Sequence, residues 1–179
     1  IFPIEEICQR ENQISFPVVM KPRSLAGAVG VLVLKDVQGL KNALGRICND
    51  KSDVYLDMFP QQILIEEQVE GTLFHLDGLV KDGDVKFLSV SMYIGTPLDY
   101  QKGRPLGSVT IEEGPEVIQW RTYTERIVRA LRVPDGAFHL ESFLNAQQGR
   151  VFLEIAARPG GGPIVKSILL RTGVDLCLY

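Results

Sequence analysis

The chain has 179 residues, 45% of them apolar and 23% charged, with a net charge of −3. That length and apolar content suit one domain or two small lobes with a real core, and the lack of long basic runs excludes nucleic acid as a principal partner. Cys8, Cys48 and Cys177 are widely spaced without a CxxC pair, which excludes a zinc site and a secreted disulfide framework, and no apolar run approaches a membrane span. No signal-peptide pattern opens the chain, so a soluble protein of a reducing compartment, the cytoplasm, is expected. Ile1 has no methionine before it and Tyr179 closely follows a helical pattern, so the chain reads as a piece of something longer.

In chain order, Phe16-Pro17-Val18-Val19-Met20-Lys21-Pro22 is an apolar run closed by a lysine. The proline after it biases Lys21 toward extended geometry. A small-residue stretch from Arg23 to Gly30 and a second apolar run, Val31 to Leu34, complete a hairpin whose tip can fold over a ligand. Asp36 suits the N-cap of a helix with Val37, Leu40, Leu44 and Ile47 at helical spacing. After a looser stretch containing Pro60, Ile63 to Val69 forms a strand that finishes at Glu70-Gly71. Leu73 to Lys81 and Val85 to Ile94 follow as strands joined by Asp82-Gly83, a strong hairpin signal. Gly95 to Gly107 is rich in Gly and Pro and reads as a mobile loop. Glu116 to Leu131 is an amphipathic helix with Val117, Trp120, Ile127, Val128 and Leu131 as its core face. The layout is α+β, with antiparallel sheets and helices on their faces.

Two carboxylates then sit on neighbouring strand patterns, Glu141 in Phe138 to Phe143 and Glu154 in Arg150 to Ile155, with Asn145-Ala146-Gln147-Gln148-Gly149 as the turn between them. If the loop is symmetric about Gln147-Gln148, the glutamates face each other across the pair. An odd-numbered loop shifts the register by one and separates them. Like charges directly opposite destabilise a sheet, an objection that a hard divalent cation removes. Two solvated glutamates on an edge hairpin are the plainer alternative. After Glu154 the chain reads Ala156-Ala157-Arg158-Pro159-Gly160-Gly161-Gly162-Pro163, then an apolar helical segment from Ile164. The glycines allow close approach of a ligand to the backbone, and Arg158 and the helix start suit an anion.

These segments together resemble the ATP-grasp superfamily of carboxylate-amine ligases, over nearly the whole chain. "FPVVMKP", "ILIEEQVEG", "FHLESF" and "VFLEIAARPGGGP" match in the expected order, and "EIAARPGGG" is most similar to the branch that joins amino acids. The resemblance implies two nucleotide-holding lobes, residues 1–68 and 69–179, with ATP and Mg²⁺ as cofactors. Lys21 would contact the phosphates, and the loop from Ser24 through Gly27 to Gly30 would cover them. Glu66, Glu67, Gln68 and Val69 would meet the adenine through backbone groups, with Glu66 or Glu67 nearest its amine. Glu141 and Glu154 would ligate Mg²⁺, and Arg158 would bind the transferred phosphate or a substrate carboxylate. The implied reaction joins a carboxylate and an amine, amino acids by this branch, through an acyl phosphate. A preceding N-terminal domain of the same protein is the implied partner, with no nucleic acid and no membrane.

The chain departs from the pattern in places. Ala156 stands where many relatives have a second-metal Asn, and Leu73 where many have a ribose-gripping acid, with Glu70 and Asp77 as nearby substitutes. Two alternatives follow: a degenerate nucleotide-binding module of a larger protein, or a carboxylase or purine-pathway enzyme of the same superfamily. Nothing in the scheme needs a nucleophilic thiol, so the cysteines read as buried small hydrophobes. His139 shares a face with Glu141 by alternation and can approach the metal or substrate, although ordinary hydrogen-bonded histidines are the plainer reading of His139 and His75. Trp120 reads as core, and Arg104 as an exposed loop arginine within possible reach of a substrate anion.

Overall fold

The computed structural model describes residue 7 and residues 13–23, 25–49 and 63–179. Ser24, Cys8 and the stretch around Pro60 lie outside the described residues, as do the side chains of Ile47 and Cys48. The chain divides into two units: one runs to Gln68 and includes Pro97–Pro105, the other comprises Val69–Thr96 and Leu106–Tyr179. Residues 97–105, grouped by sequence with the later lobe, thus belong with the first unit.

In the first unit, β1 (Val18–Pro22), β2 (Leu32–Leu34) and β3 (Ile63–Glu67) form an antiparallel sheet with β1 in the centre. Alternation along β1 sends Val18 and Met20 into a core shared with Leu34, Ile63 and the helix α1 (Val37–Asn49), while Val19 and Lys21 take the other face. Asp36 caps α1 as expected, its Oδ1 accepting from Gly39 N at 2.8 Å. Leu40, Ala43 and Leu44 are buried, but Val37 is 37% exposed. The apolar stripe therefore meets the sheet only from the second turn of the helix onward.

The second unit holds a five-stranded antiparallel sheet built from β4 (Thr72–Lys81), β5 (Asp84–Ile94), β6 (Gly107–Thr110), β7 (Gly136–Asn145) and β8 (Gly149–Ala156), in the order β6-β5-β4-β7-β8. Asp82 and Gly83 both take positive φ at the β4–β5 turn, the backbone that a two-residue hairpin needs to match strand twist. The segment 95–107, expected as a mobile loop, contains a short helix, α2 (Pro97–Gln101), and delivers the chain into β6. Asp99 O accepts from Lys102 N and Arg104 N at 2.9 and 3.1 Å, so the Gly and Pro residues mark element ends and not their absence.

One face of this sheet is apolar. Phe74, Leu76, Leu88, Val90, Phe138 and Leu140 pack against α3 (Pro115–Leu131) through Val117, Trp120 and Val128. Trp120 is fully buried, as expected, whereas Leu131 at the last turn is 54% exposed. It directly precedes the left-handed cap Arg132, where the helix ends. On the opposite face, α4 (Ile164–Thr172) and the 3₁₀ turn Leu176–Leu178 cover only one end, packing Ile168 and Leu176 on Ala137, with Leu79 and Phe87 beside them. Cys177 is exposed, not buried as its small apolar character suggested, because the burial in that turn falls to its neighbour Leu176. Among the described residues no helix is long and apolar enough to cross a membrane.

Candidate functional site

The face of the five-stranded sheet opposite α3 is polar across every strand. Register pairs His75 with Glu141 and with Ser91, Asp77 with His139 and with Ser89, and Tyr93 with Ser108. Alternation puts all of them on one face, because their strand partners Phe74, Leu76 and Leu140 fill the other. Asp77, His75, His139 and Glu141 are all buried, at 0%, 2%, 8% and 9% exposure. Buried polar groups must be hydrogen-bonded to be tolerated, and these are.

Asp77 lies at the centre. Its Oδ2 accepts from His75 Nδ1 at 2.7 Å and its Oδ1 from His139 Nδ1 at 2.8 Å. Burial works to raise the Asp77 pKa, but the hydrogen bonds from His139 and His75 outweigh it and hold the carboxyl below its ordinary value. An ionised carboxylate only accepts, so both Nδ1 atoms carry protons. The far nitrogens then face outward along the sheet. His75 Nε2 shares a 2.7 Å hydrogen bond with Ser108 Oγ, and His139 Nε2 lies 3.3 Å from Glu141 Oε1, which also accepts from Tyr93 Oη at 2.9 Å. Burial favours the neutral ring of His139, yet Asp77 and Glu141 outweigh it and raise its pKa to about 9. Burial, followed by the negative charge of Glu141, pushes the Tyr93 phenol up, so Tyr93 remains a donor.

The two metal-candidate glutamates meet by an indirect route. The β7–β8 loop has three residues, 146–148, an odd number, and pairs Asn145 with Gly149 and Ser142 with Phe152. Continued unchanged, that register would place Leu153 opposite Glu141. A bulge between Glu141 and Ser142 takes up one extra residue on β8, so Glu141 pairs with Glu154. The turn itself is built by Asn145, whose Oδ1 accepts from Gln147 N and Gln148 N, each at 2.8 Å, and by Gly149 at φ 74°. The result is two carboxylates directly opposite each other, Glu141 buried and tethered, Glu154 exposed. That oxygen donor set fits a hard divalent cation. His75, Asp77 and His139 also bring ligand atoms within 4.8 Å of one another. However, their 2.7–2.8 Å contacts are hydrogen-bond distances, shorter than the roughly 3.3 Å between two atoms that each sit about 2 Å from a tetrahedral ion.

Beyond β8, Arg158 is exposed and donates from Nη1 to Pro159 O at 2.8 Å. Gly160 is buried, and a Cβ there would stand 2.5 Å from Asp77 Oδ1 and 3.0 Å from His139 Nδ1. The glycine loop therefore rests directly on the Asp77–His139 pair. Of the two acids suggested in place of Leu73, Asp77 is taken up by the two histidines, and Glu70 is exposed.

In the first unit, Lys21 is 9% exposed and its Nζ lies 2.7 Å from Glu66 Oε2. Val19 pairs with Glu66, which makes Lys21 and Glu66 diagonal neighbours on the face away from the core. Gly27 and Gly30 both take positive φ in the loop after β1, and Gly27 O accepts from Gln101 Nε2 at 2.8 Å. A cavity of about 410 Å³ is lined by residues 14–18 and 65–68, so it includes Glu66, Glu67 and Gln68. Its size falls within the roughly 300–1,000 Å³ typical of small-molecule pockets. Arg104, in the same unit, lies 3.5 Å from Asp99 Oδ1.

Tyr93 and Ser108 had no role in the sequence reading, Gly160 was read only as part of a glycine loop open to a ligand, and Asp77 was considered only as a stand-in for a missing acid. One signal was available: His75 and Asp77 alternate with Phe74 and Leu76 in an otherwise apolar strand, as His139 and Glu141 do with Phe138 and Leu140.

Comparison with known proteins bears on both units. Residues 14–167 match the model of the ATP-grasp domain family. The chain is 25% identical over 180 residues to the L-arginine-specific L-amino acid ligase of Bacillus subtilis, covering 97% of this chain and 41% of that protein. The crystal structure of an L-amino acid ligase from Bacillus licheniformis superposes with a TM-score of 0.69 at 23% identity, covering 95% of this chain and 41% of that one. The biotin carboxylase domain of a 2-oxoglutarate carboxylase from Hydrogenobacter thermophilus, crystallised with MgADP, ADP and bicarbonate, gives a TM-score of 0.67 at 17% identity, with coverage of 97% and 37%. The chain thus spans about two fifths of the length of these relatives.

Proposed function

Because this chain belongs to the ATP-grasp domain family, we propose that it supplies the nucleotide- and metal-binding part of an ATP-dependent ligase that joins a carboxylate to an amine, with amino acids as substrates. The observation that carries the reading is the direct pairing of Glu141 with Glu154, a bulge-dependent register that sets two carboxylates face to face as a hard cation needs. Similarity to an L-amino acid ligase over 97% of the chain supports amino acids as substrates. Fold likeness alone does not separate ligase from carboxylase, since TM-scores of 0.69 and 0.67 go with each.

In this reading a substrate carboxylate attacks the γ-phosphorus of ATP, ADP leaves, and an amine then displaces phosphate from the acyl phosphate to form the amide. When bound, Mg²⁺ neutralises charge on the phosphates, and Glu141 and Glu154 are the residues that would hold it. Lys21 supplies a fixed cation for the phosphates, with Glu66 holding its amine in place. Gly27 and Gly30 let the loop after β1 bring backbone N–H groups close to an anion, and Ser24 belongs to the same loop. The 410 Å³ cavity along Glu66–Gln68 suits the adenine, with Val69 next in the chain. Arg158 offers a planar fork for the transferred phosphate or a substrate carboxylate. Such a site assists by positioning and charge neutralisation, without a protein nucleophile.

Calorimetry of ATP binding to this chain, with and without Mg²⁺, tests the reading. Wild-type binding should require Mg²⁺. Lys21→Ala and Glu154→Ala should each weaken it about tenfold or more, the cost of a lost charge-assisted contact. Binding by a folded chain that is indifferent to Mg²⁺ and to both substitutions would contradict the assigned site. If neither this chain nor the longer protein containing it binds ATP, the degenerate-module reading replaces the ligase.

A further inference from the structure

Resting on the metal assignment of Glu141 above, we propose that Asp77 is a positioning residue for this site. Through His75 and His139 it fixes the Glu141 carboxylate, so that Oε1 is committed to the protein and Oε2 is the oxygen offered to the cation. It anchors the Arg158–Gly162 loop on the same pair.

The geometry runs in one connected path. Asp77 uses one oxygen on each histidine, which fixes both rings by their Nδ1 atoms. His139 then presents Nε2 to Glu141 Oε1. The second donor on that oxygen, Tyr93 Oη, is braced from the same source: the His75 ring packs tilted against the Tyr93 ring, centroids 4.6 Å apart, and lies 5.9 Å from His139. Ser108 holds the far side of His75. Both donors on Oε1 are therefore set by groups that Asp77 orients. Two donors fill the lone pairs of one carboxylate oxygen, and Oε2 remains as the metal-side atom.

Folding gives no reason for this arrangement. The other face of the same strands achieves full burial with Phe74, Leu76, Phe138 and Leu140, and well-packed apolar side chains commonly stabilise as well as buried charges or better. A fully buried carboxylate held by two histidines has the form of the supporting shell that orients a metal ligand. Gly160 adds the second connection, since any side chain there would displace the Asp77 carboxylate. The substrate-side loop and the metal-side glutamate consequently share one anchor.

The test uses the full chain. ADP binding is measured by calorimetry at stepped Mg²⁺ concentrations for wild type, Asp77→Asn, Tyr93→Phe and Glu141→Ala. Histidine ring ¹⁵N spectra are recorded on the cation-free proteins. Asp77→Asn and Tyr93→Phe should raise the Mg²⁺ concentration for half-maximal binding by about 10- to 100-fold, the usual effect of removing such support. Affinity for ADP at saturating Mg²⁺ should stay close to wild type, and Asp77→Asn should shift the ring signals of both histidines. In a Glu141→Ala background, Asp77→Asn should have no further effect on the Mg²⁺ midpoint. A folded Asp77→Asn or Tyr93→Phe protein with the wild-type Mg²⁺ midpoint would overturn the proposal, as would an additional loss in the Glu141→Ala background. Should Asp77→Asn fail to fold, Tyr93→Phe carries the test, because it leaves the buried triad whole. Mg²⁺-independent binding by wild type would instead overturn the metal assignment, and the proposal with it.

Discussion

At Asp77 burial and hydrogen bonding pull in opposite directions, and their balance makes stability depend on pH. The His139 pKa is raised from 6.5 to about 9 in the folded chain, so its contribution is complete below about pH 6.5 and is lost as pH rises through 9. The lowered Asp77 pKa has the opposite sense, its contribution present above the ordinary carboxyl value and lost as pH falls. The unfolding free energy from urea titrations at pH 5 to 10 should therefore decline across pH 6.5–9 by on the order of 3 kcal/mol at most, and His139→Gln should flatten that decline. A wild-type curve as flat as the variant's would refute it. Gly160 gives a second residue-scale prediction. Gly160→Ala must push a methyl against Asp77 Oδ1 and Ile164, costing about 1–3 kcal/mol by overpacking, while Gly161→Ala, with nothing within 4 Å, should leave the melting temperature nearly unchanged. The shared face of His139 and Glu141 was legible from alternation; the bridging role of Asp77 was not, because its second partner, His139, lies on another strand.

Among the elements, the β7–β8 hairpin shows how a local reading can reach the right pairing by an incomplete route. A symmetric loop was one of two possibilities in the sequence, and the structure has the odd loop plus a compensating bulge. Turn residues are visible in a sequence, but a bulge is decided by how the sheet must twist and which side chains each face accepts. Asn145 is the local determinant, bonded to Gln147 N and Gln148 N and donating to Glu70 O at 2.6 Å. Asn145→Ala should cost about 1–2 kcal/mol in urea unfolding, and no measurable loss would mean that the turn forms without it. On the opposite face, Trp120→Ala should cost about 3–5 kcal/mol, since the ring is fully buried and packs tilted against Phe74 with centroids 4.8 Å apart. The helix at Pro97–Gln101 and strand β6 were hidden in a Gly- and Pro-rich segment, where composition signals turns but not what lies between them.

For the whole molecule, the two units divide the proposed labour: one carries Lys21, Glu66 and the cavity beside Gln68, the other the glutamate pair and Arg158. The chain covers 41% of its ligase relative, so under the proposed function the acceptor step is tested in a protein of the relative's full length. There, ADP release should rise at least about tenfold with mixed amino acids and not with bicarbonate, as an acceptor-dependent step in a positioned site requires. Stimulation by bicarbonate alone would move the protein to the carboxylase side of the family.

By itself the sequence determined the strands along the chain apart from β6, the apolar face that receives α3, the Asp82-Gly83 turn, and four motifs specific enough to indicate the family. These are properties of spacing and residue type, and spacing is local. Only the tertiary structure decided that Asp77 bridges two histidines, that Tyr93 and His139 converge on one oxygen of Glu141, and that Gly160 seats the arginine loop on that group. Those contacts join residues on β4, β5, β7 and the loop after β8, and their existence depends on sheet order and register, which no single segment encodes.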